Sequence, residues 1–141
     1  MHTFKFDNIE DLQRNRKLEC EGVEVGFPGD IVLLVRAASD ANPLWKAQSE
    51  RISAQIRRFA TARASNEEVR AYLARKFAEL LVRDWPKGPK SDGEPVPFSV
   101  DACTAFLLQA DDVYTGIDNF VWENKNFRTQ RVDIIVDHVK N

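Results

Sequence analysis

Apolar and polar positions along this 141-residue chain fall into two regimes. Between residues 17 and 37 the spacing is close to two. "KLECEGVEVGF" offers Leu18, Cys20, Val23, Val25 and Phe27 to one side and Glu19, Glu21 and Glu24 mostly to the other, with Gly22 interrupting the phase. "PGD" at 28–30 follows, with Pro28 presetting φ and Gly29 supplying the positive φ of a type II turn. "IVLLVRA" then returns as a strand whose unbroken apolar run suits burial on both faces. Residues 17–37 are therefore expected to form a β-hairpin, and "TFKF" before it is compatible with one more short strand.

From residue 43 the period becomes helical. Asn42 can cap and Pro43 suits a first helical turn, where its missing N–H has no partner to lose. Trp45, Ile52, Ile56 and Phe59 then recur through Thr61. Ser65 and Glu68 have capping-box spacing ahead of the strongest stripe in the chain, Val69, Tyr72, Leu73, Phe77, Leu80 and Leu81, which is expected to end near Trp85. Ser99 is the expected cap of a third helix carrying Cys103, Phe106 and Leu107. Asp111 or Asp112 starts a fourth with Val113, Ile117, Phe120 and Val121. In "RVDIIVDHVKN", Val132, Ile135, Val136 and Val139 fit helical spacing, while the β-branched content also suits a strand; we expect residues 128–141 to be a helical extension. The fold expected is a single α+β domain over 1–141, with an N-terminal β-hairpin or small antiparallel sheet packed on four to five helices and a helical core over 43–123.

Composition agrees with one folded domain. Hydrophobic residues make up 43% and charged residues 30% of the chain, and a globular chain of this size buries roughly 70% of its unfolded surface. A net charge of -2 argues against a dedicated nucleic-acid binder. Cys20 and Cys103 have no metal spacing, and a two-cysteine chain with a full core points to a reducing compartment. "MHTFKFDNIEDLQ" lacks a basic stretch followed by an apolar one, and "IVLLV" is too short to cross a bilayer, so an intracellular protein without a membrane partner is expected. Charge is uneven, however. From Pro43 to Lys90 eleven Lys and Arg face five acids, whereas from Ser91 onward four face nine. Either the basic helices form a surface for an acidic partner, or they and the acidic part complement one another or are simply solvated.

Catalytic chemistry finds no foothold. The histidines, His2 and His138, lie near the ends of the sequence and neither makes a credible general base. There is no G-x-S-x-G, no phosphate-binding G-x-x-x-x-G-K-[ST], and "EGVEVG" lacks dinucleotide-binding spacing. Zinc would need clustered Cys and His. "KSDGEPVP" places prolines where a calcium loop needs ligands. Asp111 and Asp112 are explained by a helix start. "RRFATARASNEE" is longer than the compact turn of a helix-turn-helix. We expect no enzyme activity, cofactor or metal.

One stretch, "RDWPKGPKSDGEPVPFSVDA", looks chemical but reads mechanically. Trp85 closes the preceding helix into the core, Gly88 and Asp92-Gly93 turn the chain, Pro95 and Pro97 hold it extended, Phe98 anchors it and Ser99 begins the next helix. Together with the hairpin running into "RAASDANPLW", the Asp84-Trp85 pair and the later Asn126-Phe127, this order resembles the tail assembly chaperones of long-tailed bacteriophages over about residues 20–128. Pro86-Lys87 lengthens the loop relative to the commoner form, and residues after Arg128 lie outside the pattern. The resemblance implies a non-enzymatic protein of the infected host's cytoplasm. It would bind the phage tape measure protein and help recruit tail tube protein before the tube polymerises. The stripe of Val132, Ile135, Val136 and Val139 is compatible with self-association into a homo-oligomer or with packing on the chain's own core. The other readings are a structural neck, tail or baseplate part retained in the virion and a small DNA-binding regulator. A helix-in-groove contact with such a partner needs exposed aromatics, and Trp45, Tyr114 and Trp122 are the candidates, Trp122 foremost because it is offset from the Ile117/Val121 line.

Overall fold

The computed structural model describes residues 3–134. After a single 3-10 turn at Glu10–Leu12 the chain forms α1 (Arg16–Glu21), β1 (Val23–Phe27), β2 (Ile31–Val35), α2 (Pro43–Ala62) and α3 (Asn66–Leu80). It continues through β3 (Val82–Lys87), a small hairpin of β4 (Lys90–Ser91) and β5 (Glu94–Pro95), α4 (Val100–Gln109) and α5 (Asp111–Phe120). A 3-10 turn at Asn124–Phe127 leads to β6 (Arg131–Asp133). The architecture is α+β, with a four-stranded sheet in the order β3-β2-β1-β6 and about five helices.

The β1–β2 hairpin forms around the anticipated turn, with Gly29 at φ 86 and Asp30 also left-handed at φ 61. Val23, Val25 and Phe27 stand opposite Val35, Leu33 and Ile31, and this face receives the helices. The helix caps read from sequence are in place: Asn42, Ser65 and Ser99 accept from the backbone N–H of Leu44, Glu68 and Ala102. Phe77, Leu107, Ile117 and Phe127 are completely enclosed, each burial contributing about 1.5–3 kcal/mol.

Three expectations are corrected. The hairpin does not begin at residue 17. Asn15 accepts from Leu18 N–H and nucleates α1, and Gly22 at φ 101 ends it, so Glu19 turns inward where alternation would send it to solvent. The stripe of α3 does not carry through to Trp85, because α3 ends at Leu80 and the chain extends as β3 along β2. Trp85 precedes Pro86, which disfavours helical backbone at the tryptophan, and an edge strand tolerates the missing proline N–H. The sheet is mixed, not antiparallel: Arg131–Asp133 is a strand paired parallel to Glu24–Gly26, with Arg131 reaching Glu24 at 3.4 Å and Asp133 at 2.9 Å. Ile135, Val136 and Val139, the rest of the expected C-terminal helix, lie outside the described residues.

The connection between β2 and α2 holds these elements together. The backbone N–H groups of Arg36, Ala37 and Ala38 donate to the carbonyls of Leu81, Glu19 and Val121, tying the joint between α3 and β3, α1 and the end of α5 to one short segment. Asn42, fully buried, caps α2 through its side-chain oxygen while its Nδ2 donates to Ala37 O and Leu80 O, both at 3.0 Å. Glu19, equally buried, accepts from Arg14 and from Ser39 Oγ, and Arg14 and Arg16 both reach Asp40 at 3.2 Å.

Two expectations follow for stability. Asn42→Ala removes a cap and strands two enclosed carbonyls, so a loss of about 3 kcal/mol is expected in denaturant unfolding. A loss below about 1 kcal/mol would contradict the role assigned to it. Burial by itself raises the Glu19 pKa, but hydrogen bonds from Arg14 and Ser39, with the charges of Arg14 and Arg16, outweigh it and hold the carboxyl below its usual range. The carboxylate therefore stabilises the fold fully above the ordinary glutamate pKa of about 4.3, and that stabilisation is lost as pH falls through the lower folded value. Urea melts in acid should show a shallower decline for Glu19→Gln than for the native chain.

Candidate functional site

Two clusters bring together the residues singled out in the sequence. The first is the loop from Asp84 to Ser99, which folds as an aromatic clamp. Asp84 Oδ1 accepts from Trp85 N–H at 2.8 Å and fixes the strand as it enters the loop. The Trp85 indole is buried and its Nε1 donates to Val96 O at 3.0 Å, so the two arms of the loop are joined across eleven residues. Its ring meets Phe98 and Phe106 edge-on at 5.2 and 6.0 Å, linking β3, the loop and α4. Such ring pairs add about 0.5–1.5 kcal/mol each beyond the area they bury.

Gly88 lies directly over the Trp85 ring. A Cβ there would stand 2.6 Å from the indole, so the glycine is required for a close approach and not for a positive φ. Asp92 at φ 51 and Gly93 at φ 81 make the two-residue turn between β4 and β5, a left-handed pair that suits a hairpin. Pro95 pairs with Lys90, Pro97 is exposed, and Ser99 caps α4. An open groove beside this clamp is lined by Trp85, Val96, Ala102, Ala105 and Phe106. Further along the chain Asn126 Nδ2 donates to Phe120 O, and Phe127 packs on Phe120 at 5.1 Å.

The second cluster concerns the three candidate contact aromatics. Trp45 is buried, which corrects its selection as an exposed contact. Its ring meets Trp122 edge-on at 5.3 Å, and Trp122 is itself 54% exposed, held by a hydrogen bond from its Nε1 to Asp118 Oδ1. The pair forms a ledge where α2 begins and α5 ends, a buried indole supporting an open one. Tyr114 belongs to a separate group. It is half-buried, stacked on Phe77 at 5.6 Å, with the Arg70 guanidinium 4.7 Å from its ring centre. Leu44, exposed in the first turn of α2, was not singled out in the sequence; its place beside Trp45 in the chain was the available signal.

No group of three or more His, Cys, Asp or Glu side chains among the described residues could hold a metal ion. Burial pushes the Cys103 thiol up to about 12, which keeps it protonated and unreactive. No helix among the described residues is long and apolar enough to cross a membrane.

The clamp makes a direct prediction. Gly88→Ala forces the Trp85 ring from its seat and should lower stability by about 1–3 kcal/mol. An unchanged midpoint in thermal unfolding would show that the ring and loop are free to move apart.

A model of the family described as YdaY prophage protein matches residues 40–141, a span that begins just ahead of the Asn42 cap and includes the whole clamp and the Trp45–Trp122 pair. No curated protein and no solved structure matches the chain. With well over half of its length matched, the chain belongs to the YdaY prophage protein family and is of phage origin.

Proposed function

We propose that this prophage protein is a non-enzymatic tail assembly chaperone, acting in the host cytoplasm, that binds the tape measure protein and helps recruit tail tube subunits. The observation that carries the reading is the order Asp84-Trp85, Gly88, Asp92-Gly93, Pro97-Phe98-Ser99 and Asn126-Phe127. It resembles the chaperone family in sequence, and here its members interlock through Trp85, Val96 and Phe98 and through Phe120 and Phe127. Phage origin is consistent with that reading.

A tape measure protein exposes apolar helical surface until its tube encloses it, and a chaperone must offer apolar surface in exchange. Trp122 is suited to this, because its open face is rigidly backed by Trp45 and tethered to Asp118. Trp and Tyr are effective contact residues because they bring large area at little conformational cost.

Two measurements test the reading. The chain should co-purify with the tape measure or tube protein and be missing from purified virions; presence in virions in stoichiometric amounts would identify a structural tail part instead. Trp122→Ala should weaken capture of the tape measure protein while reducing stability by no more than about 1 kcal/mol, the scale of one exposed ring pair. Undiminished capture would remove Trp122 from the contact surface.

A further inference from the structure

α2 has one face that the other described residues leave open. Over twenty residues, a length of about 30 Å, it buries only Trp45 and Ile52 completely. Ile56 and Phe59 are half-buried on the same side, Phe59 resting edge-on against Tyr72 of α3 at 5.5 Å. The opposite side carries Lys46, Arg51, Arg57 and Arg58, all exposed, with Glu50 the sole acid of the helix. Among the described residues none of these four cations forms an ion pair; Arg58 donates to Gln55 of its own helix.

The basic residues of α3 behave differently, and the contrast is informative. Arg70 reaches Asp111 of α5 at 2.6 Å, Arg75 reaches Asp101 of α4 at 2.5 Å, and Lys76 reaches Glu79 at 3.3 Å. Where a basic helix of this fold has neighbours, its guanidinium groups thus meet carboxylates presented by the helices beside it. α2 repeats the basic pattern, but among the described residues no carboxylate of a neighbouring helix meets it. Arg51 and Arg58 are seven residues apart, two helical turns, and so lie in one row, with Lys46 and Arg57 flanking the face on its other side. Between the rows stand Ala47, Ala54, Thr61 and Glu50, with no large apolar side chain among them.

We propose that the outward face of α2 docks an α-helix of a partner protein that carries a row of carboxylates. The partner is defined by this chemistry alone, so the inference stands apart from the identity proposed for it above. Absence of any large apolar residue between the rows makes the contact electrostatic, hence fast to form and sensitive to salt. Glu50 in the midst of the cations suits a helix carrying a matching base among its acids. It would repel the unbroken charge of a nucleic-acid backbone, which the chain's net charge of -2 also disfavours.

The probe is a fluorescein-labelled synthetic helix about four heptads long with glutamates confined to one face, read by anisotropy. Native protein should bind it, with affinity falling about tenfold or more between about 50 mM and about 500 mM salt. Arg51→Glu with Arg58→Glu should abolish binding, while Lys90→Glu with Lys125→Glu, the same charge change at exposed sites elsewhere, should not. Circular dichroism melts of both variants verify folding, which is expected since all four positions are exposed. Equal losses in the two variants, equal binding of a helix with the same glutamates scattered round its circumference, or tighter binding of duplex DNA would each overturn the proposal.

Discussion

The segment between β2 and α2 is the constraint on which this fold turns. Seven residues, 36–42, supply hydrogen bonds to α1, the end of α3 with its cap Leu81, and the end of α5. Ala37 and Asn42 of this junction are enclosed, and enclosed polar groups are costly unless they are matched. Asn42 does this economically: one amide caps a helix and satisfies two carbonyls from elsewhere. The buried Glu19 is stable for the same reason, its charge met by Arg14 and Ser39. The junction also sets where α2 starts, and therefore places Trp45 beneath Trp122.

From that placement two surfaces of unlike character follow on one helix. Its first turn supports an aromatic ledge whose contact strength lies in buried area. Its outer flank is cationic and nearly devoid of apolar bulk, and salt weakens contacts of that kind. The clamp from Asp84 to Ser99, in contrast, spends its aromatics internally. Its acids and lysines look chemical only in linear order; in space they are turn residues and exposed ends, while Trp85 does the joining.

Much of the helical half was legible because helices announce themselves locally. Ser65, Ser99 and Asn42 cap by contacts within three residues, and the α3 and α5 stripes repeat every turn. The turn at Gly29 and the one at Asp92-Gly93 were legible through the backbone freedom they require. What escaped was decided at long range. α1 is too short to show a helical period, and Leu18 and Cys20 mimic strand alternation. Only its burial of Glu19 beneath Ser39 distinguishes the two. β3 was masked because Leu81 and Trp85 also sit at helical spacing, although Pro86 carried the contrary signal. The offset of Trp122 from the Ile117/Val121 line marked it as the more open indole, but that Trp45 lies beneath it was not legible, since that depends on how α2 and α5 meet.

The strand β6 has a consequence for how the molecule comes into being. It pairs Arg131 with Glu24 in a parallel ladder, joining one edge of the sheet from points more than a hundred residues apart. Parallel partners cannot zip up from a shared turn; the intervening helices must already have brought them together. A nascent chain therefore displays the outer edge of β1 unpaired until residues 131–133 have been made, more than a hundred residues later.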